Sequence, residues 1–208
     1  MEEQEGVIQF DLQWQLTGVI NADLTALSAW RGILWKLGLI GQDPDRYNGA
    51  DFGNVSQRQD SSERFIISGS QTGHMEQIQE RHYALVTDFD PETNQVVSEG
   101  PIRPSSETMT HGVIYRLDTS TNCVLHVHSA NIWNAASELC IPMTRPEVSY
   151  GTPEMAAEVE RLFSETDARE RGIFTMAGHQ DGVVAFGTTP EAAGVRLITT
   201  LARCGKTG

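Results

Sequence analysis

Cysteine is scarce in this chain. Its 208 residues include three, Cys123, Cys140 and Cys204, with no C-x-x-C spacing among them. So small and odd a count argues against a disulfide framework and fits a reducing compartment, so a cytoplasmic location is expected. Positive charge is also short. Fifteen Lys and Arg stand against 28 Asp and Glu, a net charge of −13. No basic stripe is available to neutralise phosphates, so nucleic acid is not an expected partner. The acidity reads instead as a solvated surface. No segment approaches the roughly 20 consecutive apolar residues of a membrane span, and no membrane partner is expected. The opening Met1-Glu2-Glu3-Gln4-Glu5 is acidic and leads into no long apolar run, unlike a standard secretory signal. Internal repeats and low-complexity tracts are also missing.

What remains is an ordinary globular composition, 39% hydrophobic and 21% charged. The length suggests one domain over residues 1–208, with 1–20 as an arm or short strand around Val7–Leu16. Leu24, Leu27, Trp30, Leu34 and Leu37 keep helical spacing, which predicts a helix from Asp23 to Leu37 stopped by Gly38. Gly41 to Ser62 is rich in Gly, Asp, Asn, Gln and Ser and reads mainly as loop. Arg64–Ser68 and Tyr83–Phe89 read as strands. Asp90-Pro91-Glu92-Thr93-Asn94 reads as a hairpin turn into Gln95–Ser98. A helix from Ser106 to Arg116 follows, then a strand over Cys123–His128. Ser129 reads as the cap of a helix reaching Leu139. Thr152-Pro153-Glu154 and Thr189-Pro190-Glu191 carry the same helix-start signature, a cap, Pro at the first position and an acid in the first turn. Those helices run to Phe163 and Cys204. Gly172–Met176 and Gly182–Phe186 read as short strands. Interleaved strands and helices predict an α/β or α+β fold.

The chemistry-bearing residues centre on His126-Val127-His128. Strand side chains alternate with period two, so both imidazoles point to one face. Glu107 precedes them in Ser105-Ser106-Glu107, and a third imidazole follows in Gly178-His179-Gln180-Asp181-Gly182. Three neutral imidazoles suit zinc and leave a coordination position open for substrate or water. Unrelated buried histidines are the alternative. A cupin-type site also uses His-x-His, but within consecutive barrel strands, whereas here a helix follows. Glu107 at a helix start is either an ordinary dipole-offsetting acid or a metal ligand or acid/base. His111, one turn on, is a fourth ligand or a packing histidine. Gly53-Asn54-Val55-Ser56-Gln57-Arg58 and Ser68-Gly69-Ser70-Gln71-Thr72-Gly73 are stretches whose small residues let amides approach an oxyanion, or simply turns.

Taken in order, Gly53-Asn54-Val55-Ser56, Ser68-Gly69, Ser105-Ser106-Glu107 with His111, His126-Val127-His128-Ser129 and Gly178-His179 with Gly182 resemble the class II aldolase/adducin family. The resemblance runs from about Leu24 to Leu201. That family includes fuculose- and rhamnulose-phosphate aldolases, ribulose-phosphate 4-epimerase and methylthioribulose-phosphate dehydratase. The resemblance implies a three-layer α/β/α fold with a central, mainly antiparallel sheet. It also implies a homotetramer with active sites between subunits. Carried over by position, His126, His128 and His179 hold one divalent ion per chain, most often zinc, and Glu107 is the catalytic acid/base. Asn54, Ser68, Gly69, Ser105 and Ser106 form the substrate phosphate pocket, with Ser70 and Arg58 as further candidates. The implied activity is lyase chemistry: a carbon–carbon bond cleaved or formed in a small sugar phosphate or hydroxy-ketone through a metal-stabilised enediolate. Epimerase, dehydratase, decarboxylase and a non-catalytic adducin-like scaffold are the alternatives. Three features depart from the family pattern. The segment Ser70-Gln71-Thr72-Gly73-His74 is unusual and suits a carboxylate or an unphosphorylated substrate. Ile67 replaces the usual Pro before Ser68-Gly69. The C-terminal stretch Leu201–Gly208 also lacks the tyrosine often lent to a neighbouring subunit, for which Tyr150 is the nearest substitute.

Overall fold

The structure, a computed structural model, describes residues 6–205; the acidic first five residues and residues 206–208 lie outside the described residues. In chain order the elements are β1 (Asp11–Leu16), α1 (Thr25–Lys36), β2 (Gly41–Gln42), β3 (Asp51–Phe52), β4 (Asn54–Arg58), β5 (Phe65–Ser68), β6 (Tyr83–Asp90), β7 (Gln95–Gly100), α2 (Thr108–Leu117), β8 (Cys123–His128), α3 (Ala130–Ala135), α4 (Pro153–Glu165), α5 (Ala168–Arg171), β9 (Ile173–Thr175), β10 (Gly182–Gly187) and α6 (Pro190–Cys204).

Eight strands form one sheet in the order β1-β7-β6-β5-β4-β8-β10-β9. Every pairing in it is antiparallel except β1 beside β7. Strand alternation splits the core in two. Val124, Val184, Phe186 and Ile67 pack on one face under Met109 and Val113 of α2 and Val159 and Leu162 of α4. Leu125, Val127, Val183 and Ile66 pack on the other face under Leu27 and Leu34 of α1 and Leu197 of α6. The result is the expected α/β/α arrangement of three layers around a mainly antiparallel sheet.

Local chemistry explains most element ends. Thr152 and Thr189 each accept the third backbone N–H of the helix they cap, and Pro stands at the start of both helices. In the β6–β7 turn, Asp90 accepts from Glu92 N and Thr93 Oγ1, and Asn94 takes a left-handed φ of 52°. Two expectations need correction. Asn54–Arg58 is a central strand, not loop: Ser56 pairs with Ile67 on one side and Val124 on the other. Ser56 and Arg58 are buried with their polar groups bonded, so composition alone misread the strand. The helix after Ser129 stops at Ala135 rather than Leu139; looser turns follow, and Cys140, with φ 52°, reverses the chain.

Candidate metal centre and substrate cleft

β8 aims alternate side chains at the α2 face of the sheet, so His126 and His128 follow Val124 onto that face. β10 supplies the third imidazole from the turn that precedes it. His179 N bonds Met176 O, and Gly182 N bonds His179 O, a tight path that sets the ring beside β8. The turn also needs Gly178, where a Cβ would lie 2.2 Å from Val148 O and 2.8 Å from Pro146 O. One ligand atom from each of His126, His128 and His179 lies within 4.8 Å of the others, and all three side chains are buried.

The environment keeps His126 and His128 neutral, the form that ligates. Burial first, then the neighbouring imidazoles, hold His126 and His128 well below the usual histidine range. His126 Nε2 is buried without a hydrogen-bond partner, which is costly unless a ligand completes it. The converging donors therefore fit one divalent cation, and an all-imidazole set suits zinc. Packing fixes the rings. His128 packs against the Tyr47–Phe52 ring pair, with centroids 4.6 Å and 5.3 Å away. His179 lies against Tyr150 at 4.7 Å.

Glu107 stands at the N-cap of α2, which starts at Thr108, two positions later than expected. Thr110 Oγ1 donates to its Oε2 at 3.0 Å. Its Oε1 stands 3.6 Å from His179 Nε2 and 4.0 Å from His126 Nε2. A buried carboxylate thus faces the three imidazoles, oriented by a threonine one turn along the same helix.

A model of the class II aldolase and adducin N-terminal domain matches residues 45–205. The chain belongs to the class II aldolase and adducin family. A segment of 90 residues is 38% identical to methylthioribulose-1-phosphate dehydratase of Stenotrophomonas maltophilia, covering 43% of this chain. The chain spans only 38% of the length of that relative. The L-fuculose-1-phosphate aldolase of Thermus thermophilus superposes with a TM-score of 0.60 at 21% identity, over 88% of this chain and 90% of that one. A sugar-phosphate aldolase from Thermotoga maritima gives 0.64 at 14% identity, over 86% and 90%. These structural likenesses establish the class II aldolase fold.

Within this class II aldolase fold, the candidate substrate residues divide. Asn54, Gly69, Ser70, Ser105 and Ser106 line one small polar cleft. Ser68 lies beside it, and its hydroxyl accepts Val55 N. Arg58 does not join them. It occupies the far end of β4, where its guanidinium donates to Thr121 O, Tyr115 O and Ser62 O; these carbonyls close the C-terminal end of α2 and the loops around it. Tyr150 is buried, and its hydroxyl bonds the backbone of Val7. His111 is a packing residue: its Nδ1 bonds Ser56 Oγ at 2.7 Å, and Ser56 Oγ in turn meets Tyr115 OH at 2.7 Å.

Sequence reasoning missed the support behind His128. Tyr47 OH donates to Asp181 Oδ2 at 2.6 Å, and Arg46 Nη2 lies 3.4 Å from the same oxygen. Tyr47 and Asp181 both have left-handed φ, 49° and 62°, a conformation that costs non-glycine residues energy and collects at functional sites. The Asp181-Gly182 dipeptide was the only signal, and it marks a turn without marking a partner.

Proposed function

We propose that this class II aldolase-family protein is a divalent-metal-dependent lyase that cleaves or forms a carbon–carbon bond in a small hydroxy-ketone or sugar phosphate. We read it as one domain over residues 1–208 acting in the cytoplasm and, as the family resemblance implies, as a homotetramer with sites between subunits. The observation that carries the reading is the Glu107 carboxylate, 3.6 Å and 4.0 Å from two of three clustered imidazoles.

His126, His128 and His179 would hold the ion, zinc by the character of the donors. When bound it supplies Lewis-acid polarisation of a substrate carbonyl. Glu107 Oε1, on the histidine side of its carboxyl, takes the proton that becomes acidic beside that carbonyl. Thr110 steadies the carboxyl through Oε2, so the base keeps one orientation during transfer. Asn54, Ser68, Gly69, Ser105 and Ser106, with Ser70, position the substrate end farther from the histidines. Such positioning lines up the scissile bond with the carbonyl.

The test is proton exchange from hydroxy-ketone donors in deuterated water, using zinc-loaded protein. Glu107→Gln should keep the metal and slow exchange by about 10²–10⁴-fold. Exchange that survives in this variant removes Glu107 as the base, and a donor panel that shows no exchange removes the lyase reading. Loss of water from the substrate is a second reading, favoured by the 38% identical dehydratase segment; product analysis separates it, since carbon–carbon cleavage releases an aldehyde.

A further inference from the structure

The cleft beside the histidines is lined by neutral polar residues and a single carboxylate. Asp51 lines it, together with Asn54, Ser70, Gln71, Ser105 and Ser106, and neither Lys nor Arg stands among its described lining residues. The Asp51 side chain is 8% exposed, with Oδ2 2.8 Å from Nδ1 of His74, which lies 47% open to solvent. Asn54 Oδ1 is buried and has no hydrogen-bond partner. A carboxylate and an orphaned amide oxygen are both acceptors, and a buried acceptor asks the ligand for a donor.

Several backbone amides in and beside the cleft are already bonded within the protein. Gly69 N bonds His82 O at 2.8 Å, Ser70 N bonds Arg103 O at 3.0 Å and Thr108 N bonds Ser105 O at 3.2 Å. Glu107 N bonds Ser105 Oγ at 3.3 Å. A buried guanidinium, Arg31, sits beneath this loop with its N–H groups on Thr72 O, Gly73 O and Glu76 O, and it feels the charge of Asp51. It supports the loop from behind and offers the cleft no bidentate fork. A phosphate dianion placed here would meet a carboxylate at close range, and such juxtapositions are strongly unfavourable in a low-dielectric pocket.

We propose that the cleft formed by Asp51, Asn54, Ser70, Gln71, Ser105 and Ser106 seats an uncharged, hydroxyl-bearing end of the substrate, and that Asp51 is the residue that rejects a phosphorylated end. Hydroxyls donate to Asp51 and Asn54 Oδ1 and accept from Ser105 and Ser106. The inference rests on the proposed metal-dependent site for the other end of the substrate. It narrows the substrate class to unphosphorylated polyhydroxy ketones and aldehydes.

Two measurements test it, with zinc-loaded protein throughout. The first is titration with glycerol 1-phosphate, which requires no turnover. Asp51→Asn keeps an acceptor for His74 and should bind this probe about tenfold more tightly or better than the parent. Asp51→Ser should shift affinity in the same direction; it serves as the reading should the amide variant fold poorly, judged by its thermal midpoint. The second is the exchange preference between dihydroxyacetone and its phosphate, as a ratio of kcat/KM. The parent should favour the free sugar, and Asp51→Asn should move the ratio toward the phosphate. Unchanged or weaker glycerol 1-phosphate binding in the variants overturns the proposal, as does a parent that prefers the phosphorylated donor. If exchange fails with both donors while Asp51→Asn gains phosphate affinity, the proton-transfer reading falls and the assignment of the cleft stands.

Discussion

His111 makes acid stability a quantitative test of how this site is supported. Its ring is buried to 0% exposure between β4 and α2 and bonds Ser56 Oγ, which also meets Tyr115 OH. Burial holds its pKa down to about 3, whereas an unfolded histidine titrates near 6.5. The folded value is therefore the depressed one. Below pH 6.5 the unfolded chain takes up a proton that the folded chain refuses, so stability present above 6.5 is lost as pH falls toward 3. With those two values the loss between pH 7 and pH 5 is about 2 kcal/mol from this residue. His111→Asn retains a polar atom for Ser56 but no titrating ring. The variant should be less stable at pH 7 by about 1–3 kcal/mol, the cost of a disturbed buried bond. It should also lose about 2 kcal/mol less than the parent on acidification. Urea unfolding of both proteins at pH 7 and pH 5, with chelator present so that metal release does not enter, reads this difference. Parallel stability losses in the two proteins would refute the argument, because they would mean His111 is protonated in the folded state or exposed to water.

The remaining predictions concern the imidazole cluster. Purified protein should carry about one zinc-like ion per chain, and His126→Ala should lower it to near none; unchanged metal content in that variant rejects the three-histidine set. Gly178→Ala would place a methyl 2.2 Å from Val148 O, and backbone on both sides leaves little room to yield. We expect a loss of about 1–3 kcal/mol in urea unfolding together with weakened zinc binding, because His179 is the next residue. Native stability and native zinc affinity in that variant would show that the turn relaxes freely.

Much of this molecule was legible in its sequence where local rules govern. The β8 bounds, the Thr152 and Thr189 caps and the Asp90–Asn94 turn follow from periodicity and from short polar side chains bonding nearby amides. The rule failed at β4. Asn54, Ser56 and Arg58 share one face of a strand paired on both sides, and only Val55 looks like a core residue. Tertiary partners make those polar side chains affordable: Thr121 and Tyr115 carbonyls for Arg58, and His111 and Tyr115 for Ser56. No local pattern announces partners more than 50 positions away. The same holds for Tyr47 with Asp181, and even Asp51 with His74, 23 positions apart, is announced by no local pattern. The grouping of Glu107, His126, His128 and His179 was reached through ordered motifs resembling a known family, since spacing alone left His126-Val127-His128 open to several uses.

The sheet explains why core and site lie so close without interfering. On β8, Val124 and His126 occupy the same face two residues apart, the first under α2 and α4 and the second at the cluster. Neighbouring strands do not repeat the switch: polar Ser56 stands opposite Val124, and apolar Val184 as well as Asn54 stands opposite His126. The apolar stretch ends where α2 begins, so Glu107 meets the imidazoles at the helix start instead of displacing hydrophobic side chains from its flank. A one-residue slip of β8 would exchange His126 and His128 for Leu125 and Val127 and strand two imidazoles in the opposite core. The packing that stabilises the fold therefore also fixes the ligand geometry, and register errors are opposed by two buried cores at once.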